Sequence, residues 1–284
     1  MSTTISWREL WDETAQVHGR VHARWLCEEA SGAWAEDFDG ALGEAVTERS
    51  IAHLDAMLAR LRAGEPLQYV LGHWSFRHLD LLVDPRVLIP RPETEWVAGA
   101  AIDLARRLPR PVRCADLGTG SGAIGLSLLL ELPRGGAEVW LTDESADALD
   151  VARANNAGLG VAGVGARFAL GSWYDALPAD GRGTFGVVVS NPPYIAAGDT
   201  RVDESVHAWE PSAALYSGAD GLDALRAIIA DAPDWLQPEG WLVLEIGAGQ
   251  GAAVIALLRG AGLVDVEVRP DLAGHDRVAV ARRP

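Results

Sequence analysis

Lysine is absent from this chain of 284 residues, so its 24 Lys+Arg positions are all arginine. That excludes Schiff-base chemistry, pyridoxal phosphate attachment and the lysine of a Walker A phosphate loop. Cysteine is nearly absent. Cys27 and Cys114 lie outside any CxxC pair, which removes a disulfide framework and a zinc ribbon. His18 and His22 are spaced i, i+4 near Cys27, yet no further ligand cluster follows; they read as half-exposed helix residues, and no metal is expected. No apolar run approaches the roughly 20 residues that cross a bilayer, and no signal-peptide pattern opens the chain, so a cytoplasmic protein without membrane association is expected. Positive charge is scarce: 40 Asp and Glu leave a formal net charge of -16. Such a surface repels a phosphate backbone, and stable nucleic acid binding is not expected.

What is present suggests a large α/β domain with a smaller companion. Residues 1–71 mix polar and apolar positions as helices do, and are expected to form an N-terminal helical domain. The clearest helix is "SIAHLDAMLARLRAG", with Ser50 as N-cap, apolar Ile51, Leu54, Met57, Leu58 and Leu61 at helical spacing, and Gly64 as stop. Trp7, Trp11, Trp25 and Trp34 stud this part and read as core. Residues 72–95 alternate and then break on Pro85, Pro90 and Pro92, as a β-hairpin linker would. From 96 to 284, strand and helix patterns alternate. They predict a Rossmann-like, mainly parallel sheet of seven strands with helices on both faces, closed by an antiparallel pair.

Within that domain "DLGTGSGAIGL", residues 116–126, follows a strand and opens a helix. Gly118, Gly120 and Gly122 permit a tight turn and close ligand approach, beside the unpaired N–H groups of a helix start. Asp143 ends the next strand, where a carboxylate can accept both hydroxyls of an adenosyl ribose. Asp116 adds a second anion, which would oppose a pyrophosphate but suit a cation, so S-adenosylmethionine is favoured over a dinucleotide.

"SNPPY" lies just past the fourth strand of the sheet, beside the first. A planar nitrogen conjugated to a carbonyl or ring is a poor nucleophile, so methylating it requires acceptors for its hydrogens and alignment with the methyl donor. Asn191 offers a neutral carbonyl and the backbone carbonyl of Pro192 a second one, while Pro192 and Pro193 restrict the backbone. Tyr194 can stack on the planar group. Adenine N6 methylation fits the same motif and predicts a basic face, which the net charge opposes.

Together "GEPLQYVLG", "VLIPRPETE", "DLGTGSGAIGL", "SNPPYI", "EPSAALYSGADGL" and "DLAGHDRV" resemble the release-factor glutamine N5-methyltransferases, from about residue 64 to the C-terminus. The resemblance implies the class I methyltransferase fold and, as substrate, the glutamine in the Gly-Gly-Gln loop of class I peptide chain release factors. It implies S-adenosylmethionine contacts at Gly118, Thr119, Gly120, Ser121, Gly122, Asp143, Trp173 and Asn191, and catalytic roles for Asn191, Pro192 and Tyr194. Arg91, Pro92, Glu93 and Pro193 would join these on the substrate side. Residues 1–71 would recognise the substrate, and a monomer is expected. Ser172 stands where many relatives carry an acid.

Overall fold

The computed structural model describes residues 5–200 and 203–284, and the chain divides into two compact units, Met1–His73 and Trp74–Pro284. The first holds α1 (Trp7–His18), α2 (Arg20–Ser31), α3 (Ala35–Ala41), α4 (Glu48–Arg62) and α5 (Leu67–Leu71). A capping box starts α1: Ser6 Oγ accepts from Glu9 N, and Glu9 Oε2 accepts from Ser6 N at 2.8 Å. The N-cap of α4 is Thr47 rather than Ser50. An N-cap oxygen accepts from the amide three residues on, and Ser50 supplies that amide to Thr47 Oγ1 at 3.1 Å.

The tryptophans also depart from expectation. Trp7 is buried, edge-on to the buried Phe38 with ring centroids 5.8 Å apart. Trp25 and Trp34 are 36% and 50% exposed, so they are not core. Each has an imidazole against its ring instead, His22 for Trp25 and His73 for Trp34. Trp11 lies under the Arg20 guanidinium, 4.4 Å from the ring centroid, and donates Nε1–H to the Arg20 carbonyl.

The hairpin strands β1 (His73–Phe76) and β2 (Leu79–Leu82) turn at Arg77, which has a positive φ of 52°. Its guanidinium grips both oxygens of Glu131 at 2.6 and 2.8 Å, a fork that offsets strain in a non-glycine turn. There follow α6 (Thr94–Ala105), β3 (Val112–Leu117), α7 (Ala123–Glu131), β4 (Ala137–Asp143), α8 (Ala146–Gly158), β5 (Ala166–Leu170) and β6 (Phe185–Ser190). Then come α9 (Glu204–Trp209), α10 (Asp223–Trp235), β7 (Leu236–Glu245), α11 (Gly251–Gly260), β8 (Val264–Pro270) and β9 (Asp276–Arg282).

The sheet order is β5-β4-β3-β6-β7-β9-β8. β3 to β7 are parallel, and β9 runs antiparallel to both neighbours. Every residue of β6 is buried, which explains its continuous apolar run "FGVVVS": both faces are covered. Ala115 and Leu117 of β3 join one face's core, with α10 and α11. By the period of two, Asp116 points to the opposite face, where Oδ2 meets the amide of Gly125 in α7. The chain leaves β3 toward β4 and β5, then returns to β6 on β3's other side. Such a reversal opens a crevice at the carboxyl ends of the two strands.

Candidate active site

Three glycines turn the chain between β3 and α7, at φ of 70°, 53° and 87° for Gly118, Gly120 and Gly122. A side chain at Gly122 would lie 2.9 Å from Leu126 as well as in the left-handed region, so this position requires glycine. Two carboxylates brace the turn. Asp116 Oδ2 accepts from Thr119 Oγ1 at 2.6 Å and Gly125 N at 2.9 Å, and Asp143 Oδ2 accepts from Gly120 N at 2.9 Å. Asn155 of α8 donates to the Ser121 carbonyl and exchanges hydrogen bonds with both backbone groups of Leu82 in β2. Burial raises the pKa of Asp116 to about 6, against the lowering effect of its two donors, and also raises that of Asp143.

Asn191 follows β6 and lies beside the end of β3, since Val189 is in register with Asp116. Its Nδ2 donates to Thr94 Oγ1 at 3.2 Å, and Thr94 donates to Glu245 Oε2 at 2.6 Å. Tyr194 donates to Glu245 Oε1 at 3.1 Å. Gln250 Nε2 donates to the carbonyls of Tyr194 and Gly221, while its Oε1 accepts from Gly247 N. Burial raises Glu245 to about 7 and moves the Tyr194 phenol upward.

The glycine turn, Asp116, Asp143 and Asn191 border one cavity of about 620 Å³. Of the residues singled out from sequence, Gly118, Thr119, Gly120, Ser121, Asp143, Trp173, Asn191 and Pro193 line it. Gly122 caps α7 behind the turn, and Pro192 is buried without lining the cavity. Tyr194 is turned to Glu245, and Arg91 to the buried Glu210, whose other oxygen accepts from Ile89 N at 3.0 Å. Pro92 is exposed and Glu93 half-buried, both outside the lining. From the same stretch Arg86, Val87, Leu88, Pro90 and Thr94 line it instead. The opposite wall, Pro211 to Gly218, went unassigned in the sequence, although it falls within the quoted "EPSAALYSGADGL".

These residues fit S-adenosylmethionine. Asp116 Oδ1 is buried with no hydrogen-bond partner among the described residues, a costly state that a cationic or donor ligand relieves. Both oxygens of Asp143 are oriented by backbone amides, of Gly120 and Ser145, and keep lone pairs for a diol. The Trp173 indole lies 3.4 Å from where a side chain on Gly118 would begin, so the turn presents bare backbone beside an aromatic face.

A sheet of this order, with a glycine turn after its first parallel strand and an acid ending the next, defines a class I S-adenosylmethionine-dependent methyltransferase. Comparison agrees: the Methyltransferase small domain family matches residues 99–209, and the PrmC N-terminal domain family residues 17–72. A methyltransferase structure from Pyrococcus furiosus superposes with a TM-score of 0.52 at 18% identity, covering 81% of this chain and 98% of that one. The release factor glutamine methyltransferase of Xylella fastidiosa (strain Temecula1) is 46% identical over 229 residues, 81% of this chain and 80% of the relative. That of Bordetella pertussis is 42% identical over 263 residues, 92% and 93% respectively. The chain belongs to the release factor glutamine methyltransferase family.

Proposed function

We propose that this chain methylates the side-chain amide nitrogen, N5, of the glutamine in the Gly-Gly-Gln loop of class I peptide chain release factors, using S-adenosylmethionine. The observation that carries this reading is Asn191, held by Thr94 on the border of the cavity that the glycine turn and two carboxylates also line. S-adenosylmethionine supplies an electrophilic methyl group on a sulfonium. The backbone of Gly118 to Ser121, with Asp116, Asp143 and Trp173, would hold it, while Gly122 shapes the turn from behind. Asn191 Oδ1 accepts one amide hydrogen of the glutamine, and the Pro192 carbonyl, which is not part of the cavity lining, is assigned the second as the substrate enters. This orients the nitrogen and draws lone-pair density toward it, and one of the two hydrogens leaves as the proton lost on methylation. The prolines limit backbone motion at these acceptors. Tyr194 and Arg91 support them from behind, through Glu245 and Glu210.

The remaining assignments belong to the same reading. Residues 1–71 recognise the release factor, 72–95 link, and 96–284 carry the chemistry. The enzyme is a cytoplasmic monomer without stable nucleic acid binding. Among the described residues no helix is long and apolar enough to cross a membrane.

Incubation with labelled S-adenosylmethionine tests the proposal against a release factor, its Gln-to-Ala loop variant and duplex DNA. Label in the first alone is the expected result. Label in DNA, or in the Gln-to-Ala variant at equal yield, overturns it.

A further inference from the structure

The hydroxyl of Thr94 has one hydrogen. It faces Glu245 Oε2 at 2.6 Å, and an ionised carboxylate can only accept, so while Glu245 is charged that hydrogen is committed there. Thr94 therefore turns a lone pair toward Asn191, which meets it with Nδ2 at 3.2 Å. Rotating the Asn191 amide by half a turn would set oxygen against oxygen and forfeit the bond. The other side of Glu245 agrees. Tyr194 donates to Oε1, and the Tyr194 oxygen itself faces Arg277 Nη1 at 3.5 Å, which commits the phenol hydrogen to Glu245.

We propose that Thr94 and Glu245 are positioning residues that fix which end of the Asn191 amide borders the cavity, presenting its carbonyl oxygen to the substrate. The inference rests on the glutamine-methylation reading and deepens it. A reversed Asn191 would set NH2 against the substrate NH2, donor against donor, and would lose the acceptor the reaction needs. The order of donors runs from Arg277 through Tyr194 to Glu245, and from Asn191 through Thr94 to the same carboxylate. Glu245 thus accepts directly from Thr94 of α6 and Tyr194 of the loop after β6, with Arg277 of β9 one step behind Tyr194.

Glu245 is buried and its pKa is raised to about 7. The groups around it divide: Thr94, Tyr194 and Arg277 favour the carboxylate, while burial and Glu93 oppose it. Once protonated, Glu245 can donate to Thr94, which frees the Thr94 hydrogen to meet Asn191 Oδ1 and removes the bias. Turnover then falls on the acid side of that titration.

The test uses the full chain with S-adenosylmethionine and a release factor, and compares Thr94→Ser, Thr94→Val and Glu245→Gln. Thr94→Ser should keep kcat within about threefold, whereas Thr94→Val should lose about tenfold or more, the worth of one buried hydrogen bond. Cofactor Kd should stay within about twofold in both, since neither change touches the glycine turn or Asp143. The acid limb of the wild-type kcat profile, centred near the Glu245 value of about 7, should vanish in Glu245→Gln. Thr94→Val with kcat within about twofold of wild type overturns the inference. Should Thr94→Val fail to fold, the pH profile decides, and an unchanged acid limb in Glu245→Gln overturns it. A wild type inactive on release factors sinks the underlying reading instead. The amide orientation is then judged alone, from a nuclear Overhauser contact between the Asn191 NH2 and the Thr94 side chain, and its absence overturns the inference.

Discussion

Gln250 donates its side-chain NH2 to the main-chain carbonyl of Tyr194 at 3.0 Å, tying the loop after β6 to the start of α11. The same nitrogen reaches Gly221, where a side chain would meet the Tyr194 carbonyl at 2.3 Å, so the backbones approach as closely as glycine allows. Gln250→Ala should loosen the Asn191 loop and lower kcat on a release factor by about tenfold, one to two hydrogen bonds' worth. Cofactor affinity, measured by calorimetry, should hardly change.

Asn191→Ala removes the side-chain acceptor and should cut turnover by about 100-fold or more, the usual scale for losing one preorganised polar group. Cofactor binding should shift by no more than about 1 kcal/mol. Turnover near wild type would show that another group holds the substrate amide.

Cofactor affinity should depend on pH through Asp116. Burial raises its pKa to about 6, and a cationic ligand prefers the carboxylate. Affinity should therefore be full above that value and fall as pH drops through it. Asp116→Asn should stay at the weaker, low-pH level of wild type across the range and lose that step.

Glu245 should make stability pH-dependent in the less common direction. Its folded pKa lies above its ordinary value, at about 7 against 4.5, chiefly because of burial. The folded state therefore holds the extra proton between those values, and its stability falls as pH rises through them. Between about pH 5 and pH 8, wild type should lose on the order of 1–3 kcal/mol relative to Glu245→Gln, read from denaturant midpoints.

Arg91→Met leaves the buried Glu210 carboxylate without its cation. Because the Arg91 side chain is 32% exposed, the loss should be about 2 kcal/mol, below the roughly 3–5 kcal/mol of a fully buried pair. Thermal unfolding should report this. A large rise in release-factor KM with stability intact would show instead that Arg91 grips the substrate.

The local signals were legible before any coordinates. The glycine turn, Asp143 and Asn191 each sit where a strand ends, and strand ends can be read from hydropathy and turn chemistry, whereas Trp173 entered only through the family resemblance. Thr94, Glu210 and Gln250 carry no such signal, and Glu245, although it ends β7, gives no sign of its role, because their meaning lies in partners far along the chain: Thr94 meets Glu245 151 positions away, and Gln250 meets Tyr194 56 away. Hydropathy along a strand or helix cannot reveal such a pairing. The same limit explains Ser50. A serine and a threonine three apart are both good caps, and only the backbone path decides between them.

Asp116 and Val189 stand side by side in the sheet, and Asn191 follows two residues later. Strand spacing, about 4.8 Å per step, thus sets the base distance between the donor pocket and the acceptor amide, and the glycine turn and the loop after β6 complete it. Segments 86–90 and 211–218 border the same cavity without belonging to either strand, so substitutions there should change which molecules are admitted more than they change that spacing. Admission and alignment would then rest on separate parts of the frame.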